Sequence, residues 1–120
     1  MPQSSSTQSA LSFNNPAGLY DPQPNGYSHV AIAQGPVRTV YIAGQGGEDA
    51  HGVLATGFAA QVRQALTNLQ TALAAAGARP GDVAKLTVLI VDHTEERLGV
   101  FGQALKALWA DAPLPACTLI

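Results

Sequence analysis

The chain has a single cysteine, Cys117, in 120 residues, so it can form neither an intrachain disulfide nor a cysteine-built zinc site. A reducing compartment, the cytoplasm, fits that usage. Charge is scarce too: 12% of residues are charged, six basic against eight acidic, for a net charge of -2. Without a cluster of Lys or Arg there is no footprint for a phosphate backbone, so nucleic acid is not an expected partner. No apolar run reaches the ~18 residues of a membrane span, because Gln, Arg, Asn, Gly or Pro breaks each one. The start carries neither the basic and apolar segments of a secretory signal nor, over residues 2–9, the arginines of a mitochondrial presequence.

What is present is 47% hydrophobic residues, enough for one core and one domain, expected over residues 11–120. Residues 1–10, rich in Ser and Gln, are expected to form a loose tail. From residue 11 to 26 the density of Pro, Asn and Gly (Asn14-Asn15-Pro16, Asp21-Pro22, Pro24-Asn25-Gly26) reads as irregular structure anchored by Leu19 and Tyr20.

Residues 27–33 and 37–43, rich in β-branched and aromatic types and separated by Gln34-Gly35-Pro36, predict a β-hairpin. Its ends would bring Tyr27-Ser28-His29 beside Ala43-Gly44-Gln45-Gly46-Gly47, a place for a site. Thr56 is expected to cap a helix over residues 57–76, with Phe58, Val62, Leu66, Leu69 and Leu73 as its apolar stripe and Gly77 as its left-handed stop. Residues 85–91 predict an interior strand. A second helix, capped by Asp92 or Thr94, carries the stripe Leu98, Phe101, Leu105, Leu108, and a strand begins at Ala116. The order hairpin, helix, strand, helix, strand implies an α+β fold with two helices on one face of a mixed sheet. The chain stops inside an apolar strand, which leads us to expect that a last strand is lacking.

The segments Tyr27-Ser28-His29-Val30, Val40-Tyr41-Ile42-Ala43-Gly44-Gln45, Gln61–Leu69, Ala76-Gly77-Ala78 with Asp82-Val83, Lys85–Val88 and Pro115-Ala116 together resemble the RidA family. These are reactive intermediate/imine deaminases, also called translation inhibitors or the endoribonuclease L-PSP family. The resemblance covers residues 11–120 in the same order. It implies a chorismate-mutase-like fold, a homotrimer with small-molecule clefts between subunits, no cofactor, and hydrolysis of 2-enamines or 2-imines to carbonyl compounds and ammonia. Fold does not fix function, so each site position is compared separately.

In active deaminases an arginine after the Pro-Ala pair grips the substrate carboxylate, the bidentate task of a guanidinium. Here that position is Cys117, and the family's serine before Gly-Gln is Ala43. The family asparagine on the second helix falls near Gly102, and Leu119 replaces a family cysteine. Tyr27, Gly44 and Gln45 match the pattern, and Thr118 stands in for a serine. The resemblance therefore names Tyr27 and Cys117 as catalytic positions, with His29, Ala43, Gly44, Gln45 and Thr118 around the ligand.

Each has a plainer reading. Tyr27 could serve only sheet packing, His29 could be a hydrogen-bonded structural residue rather than a proton carrier, and Gly44 a turn glycine rather than an amide donor. Cys117 reads as a nucleophile or redox group, or as a small buried hydrophobe. Glu48, Asp49 and His51, like Asp92 with His93, lack metal-ligand spacing and read as a solvated loop and a helix cap. Two functions stay open: a deaminase-type hydrolase with altered or lost activity, and a non-catalytic trimeric metabolite-binding or regulatory module. The ribonuclease label of relatives is disfavoured by the acidic balance.

Overall fold

The computed structural model describes residues 10–120; the expected tail lies almost wholly outside them. Six main elements follow one another: β1 (Leu11–Asn14), β2 (Val30–Ala33), α1 (Phe58–Ala75), β3 (Lys85–Val88), α2 (Glu95–Trp109) and β4 (Ala116–Leu119). Short 3-10 turns, Gln23–Asn25 and Pro80–Asp82, punctuate the connections. The fold is α+β, as the element order predicts.

The strands form an antiparallel pair, β1 with β2 (Leu11 opposite Ala33, Asn14 opposite Val30), and a parallel pair, β3 with β4 (Lys85 opposite Ala116, Val88 opposite Leu119). A parallel bridge between Ser28 and Ala116, with the Ser28 amide donating to the Pro115 carbonyl at 2.9 Å, ties the lead of β2 to the start of β4. In place of one mixed sheet the strands form two two-stranded sheets, one antiparallel and one parallel, tied by this bridge.

The expected hairpin is not formed. One edge of β2 is taken by β1, and the residues leading into it are bridged to β4, so β2 is joined to these elements instead of to residues 37–43. They run without regular structure, with Tyr41 93% exposed. Arg38 is their anchor, its guanidinium donating to the Ala76 carbonyl at the C-terminal end of α1, where a cation suits the helix dipole. Conversely, residues 11–14 are a strand rather than irregular chain: Leu-Ser-Phe-Asn alternates half-buried with exposed positions, the period of a strand with one face covered. The interior strand expected over residues 85–91 is shorter and has one partner, leaving Leu89 and Val91 exposed.

α1 starts at Gly57, whose φ of 89° is open to glycine and strained for other residues. No side chain caps it, so Thr56 is not the cap. At its other end Gly77 adopts φ 76°, with the Ala78 amide donating to Leu73 and the Gly77 amide to Ala74, the paired bonds of a Schellman stop. α2 is capped by Thr94, whose hydroxyl accepts from the Arg97 amide at 3.0 Å, with Glu95 and Glu96 in its first turn. The two helices pack on each other around Val62, Leu73, Leu105 and Trp109, the buried hydrophobic core. Among the described residues no helix is long and apolar enough to cross a membrane.

Candidate functional site

Tyr27 and Cys117 meet in one cavity of about 230 Å³, lined by Tyr20, Asn25, Gly26, Tyr27, Leu98, Phe101, Leu105, Cys117 and Leu119. Three local features build it. Gly26, at φ 84°, closes the Gln23–Asn25 turn directly over α2, where an added Cβ would lie 3.5 Å from the Lys106 side chain and 3.7 Å from the Gly102 carbonyl. Lys106 pins that turn by donating from Nζ to the Pro24 carbonyl at 3.0 Å. The bridge from Ser28 to Ala116 then fixes the chain at Tyr27 beside Cys117, while Leu98, Phe101 and Leu105 line the cavity from the stripe of α2.

The polar end of the cavity is an aromatic cluster. The hydroxyls of Tyr20 and Tyr27 are hydrogen-bonded to each other, and the His29 ring stands edge-on to both, at 5.1 Å from Tyr20 and 5.5 Å from Tyr27. His29 Nε2 lies 2.8 Å from the Tyr20 carbonyl oxygen. A carbonyl only accepts, so Nε2 carries the proton and Nδ1 of the neutral ring is the unprotonated nitrogen. The His29 amide donates to Asn15 Oδ1 at 2.8 Å. His29 thus buttresses the tyrosine pair and does not line the cavity.

Of the titratable groups lining the cavity, Tyr27 and Cys117 are both held in their protonated forms. Burial, followed by the hydrogen bond and charge of Tyr20, pushes the Tyr27 phenol up to about 12. Burial also raises the Cys117 thiol, and Lys85 only partly offsets it. A neutral thiol is a poor nucleophile, so the environment favours the reading of Cys117 as a small apolar wall. No charged side chain lines the cavity.

The remaining predicted positions lie elsewhere in the single chain. Ala43, Gly44 and Gln45 do not line the cavity; Gln45 donates to the Ala43 carbonyl at 3.2 Å. The glycine turn after them is held by α1: Asn68 Nδ2 donates to the carbonyls of Gly46 and Glu48, at 3.1 and 2.8 Å. Gly47 lies so close to that helix that a Cβ would come within 2.7 Å of Gln61 Cβ, so this glycine is required for packing. Thr118 is exposed and accepts from Lys85 Nζ; it follows Cys117 in the strand and so points to the opposite face. Asp49 Oδ1 accepts from the amides of His51 and Val53, at 2.8 and 3.0 Å, as a loop-closing residue.

Sequence reasoning missed the role of Tyr20 and gave the α2 stripe only a packing role. The signal for both is the turn at Pro24-Asn25-Gly26, which returns the chain from Tyr20 to Tyr27 over α2.

The model of the endoribonuclease L-PSP family matches residues 21–120. The chain belongs to this family, the Rid proteins. Among solved structures it is similar to YyfB of Yersinia pestis, described as a Rid-family protein of unknown function, with 33% identity over 93% of this chain and 85% of that one and a TM-score of 0.87. An Entamoeba histolytica protein described as an endoribonuclease L-PSP is 31% identical over 78% of this chain and 74% of its own, with a TM-score of 0.60. RidA of the Antarctic bacterium Psychrobacter sp. PAMC 21119 is 26% identical over 94% of this chain and 85% of its own, with a TM-score of 0.62. No curated protein matches the chain. Family membership fixes the architecture, and what the cavity does must be argued from its lining.

Proposed function

We propose that this Rid protein binds a small uncharged enamine or imine in the cavity between Tyr27 and Cys117 and has little activity on the carboxylate-bearing 2-imino acids of typical family deaminases. The observation that carries this reading is the cavity lining, which brings no cation to a carboxylate. A carboxylate taken there would lose its hydration without a charge-assisted partner, at a cost of several kcal/mol where the site is dry. Leu98, Phe101, Leu105 and Leu119 instead supply apolar contact, and the Tyr20–Tyr27 pair supplies hydrogen bonding at one end.

Hydrolysis would proceed by attack of water on the imine carbon, addition of a proton to nitrogen, and collapse to a carbonyl compound with loss of ammonia. Tyr27, kept as a phenol, suits the role of proton donor to the ligand nitrogen. Because Tyr27 and Cys117 are both held protonated, the lining offers no ready base for the water. That observation favours a second reading, a binding module without turnover. We further propose that the exposed segment around Val37, Val40 and Tyr41 packs against other copies of the chain in a homotrimer.

Ammonia release from freshly generated 2-aminoacrylate tests the central reading. The chain is expected to stay close to the buffer rate, and Cys117→Arg to raise the rate at least ~10-fold by supplying a carboxylate partner. Rapid turnover by the unaltered chain would sink the proposal. An uncharged imine of similar size separates the two readings, since the binding module alone would leave its hydrolysis unaccelerated.

A further inference from the structure

Tyr20 stands apart from the other residues of the Tyr27–Cys117 cavity. It lies outside the strands and helices and is 61% exposed, yet it lines the cavity and its hydroxyl is hydrogen-bonded to that of Tyr27. His29 holds it in place. The His29 Nε2 donates to the Tyr20 carbonyl at 2.8 Å, the imidazole stands edge-on to the Tyr20 ring, and the His29 amide donates to Asn15 Oδ1, near the start of the same segment. The Leu19 amide closes that segment onto the Pro16 carbonyl at 3.1 Å. An exposed ring gains little from burial, so these polar contacts account for its position 6.4 Å from the Tyr27 ring.

Each hydroxyl of the pair has one proton and two lone pairs, so either can donate to the other. As an acceptor, and as a charge once it has ionised, Tyr20 resists the ionisation of Tyr27. Turned to donate, the same hydroxyl does the opposite, because a hydrogen bond to a phenolate oxygen is charge-assisted and about twice as strong as one to a phenol. No cation lines the cavity, and the Tyr20 hydroxyl already touches the Tyr27 oxygen on which such a charge would form.

We propose that Tyr20 is a positioning residue that lets Tyr27 act first as acid and then as base toward an uncharged imine, an inference that rests on the cavity reading above. The Tyr27 O–H bond breaks as its proton passes to the imine nitrogen, and Tyr20 turns its own O–H to the phenolate oxygen left behind. Water adds to the carbon as the C=N π pair moves to nitrogen, and the phenolate takes the proton that the water loses, which restores the phenol. The carbinolamine then collapses to the carbonyl compound as its hydroxyl proton moves to the departing amine. The base that the resting lining lacks is formed by the first proton transfer, so one imine and one water suffice. Because the contact from Tyr20 strengthens only as charge develops on Tyr27, its contribution falls on kcat and not on KM.

The test uses the full chain and N-benzylidenemethylamine in its uncharged form, whose hydrolysis to benzaldehyde and methylamine is followed by absorbance. The parent chain is expected to exceed the buffer rate. Tyr20→Phe, which keeps the ring and its edge contacts, should lower kcat by ~10-fold or more and change KM by less than ~3-fold. Tyr27→Phe should lower kcat at least as far, and adding Tyr20→Phe to it should cost less than a further ~2-fold, since Tyr20 acts through Tyr27. The proposal is overturned if Tyr20→Phe leaves kcat unchanged, raises KM alone, or loses as much beside Tyr27→Phe as in the parent chain. An imine that shifts amide resonances around Tyr27 and Cys117 without being hydrolysed faster also overturns it, and leaves the binding module standing. Absence of both turnover and shifts at ~10 mM imine removes the cavity reading itself.

Discussion

Residues 37–43 and 85–91 have nearly the same character in sequence, both rich in β-branched residues with a single basic side chain, yet they end in opposite conditions. The second supplies β3, which pairs with β4 over four positions and is extended by bonds between Ile90 and Ile120 and between Ile120 and Val88. The first pairs with no strand among the described residues, and leaves Val37, Val40 and Tyr41 exposed. Intrinsic β preference is therefore permissive, and what decides is whether a partner strand lies alongside in register.

The largest effect should come from the packed side of this comparison. Trp109 is 2% exposed, and Trp109→Ala removes a large side chain from a small core, with an expected loss of about 3–5 kcal/mol in urea unfolding. A loss below about 1 kcal/mol would show that the helix interface is loose. On the open side, Tyr41→Ala is expected to change the stability of the isolated chain by less than about 0.5 kcal/mol. If residues 37–43 are covered by other copies, the same change should weaken association by about 2 kcal/mol or more, read as a shift toward monomer in sedimentation equilibrium. A chain that is monomeric at micromolar concentration before any substitution would remove the trimer from the comparison.

How much of this was legible follows the range of the interactions. Both helices, the stop of α1 at Gly77, the cap of α2 at Thr94 and the strands at Lys85 and Ala116 are written in local periodicity and turn chemistry. Pairing is not local: nothing in residues 27–43 reveals that Leu11–Asn14 takes the edge of β2, and the prolines around β1 disguised its alternation. In the site, Tyr27 and Cys117 were singled out through the family resemblance, and the structure places both in one cavity. Tyr20 and Phe101 were not, because their approach depends on a turn folding onto a helix some eighty residues later. Ala43, Gly44 and Gln45 were tied to Tyr27 by the assumed hairpin, and they parted from it when that hairpin did not form.

A smaller effect compares the two helix starts. Thr94→Ala removes a hydroxyl that accepts from Arg97 and is expected to cost about 1 kcal/mol. Thr56→Ala removes nothing that caps α1, whose start is Gly57 without a side-chain cap, and is expected to cost less than about 0.5 kcal/mol. Equal losses at the two threonines would show that α1 is capped by Thr56 in solution.

The smallest effect probes the buried thiol. Burial raises the folded Cys117 pKa above its ordinary value near 9, so the folded state holds its proton more tightly than the unfolded chain. Below the unfolded pKa both states are protonated and Cys117 makes stability no steeper with pH. Above ~9 the unfolded chain loses its proton first, so this contribution falls as pH rises and is gone once the folded thiol ionises. Cys117→Ala should therefore flatten the alkaline decline of stability relative to the parent chain, and the parent thiol should react with iodoacetamide at pH 8 more slowly than a free cysteine. Labelling as fast as free cysteine would show a thiolate at the cavity wall, which would restore the nucleophile reading and place the chemistry on sulfur.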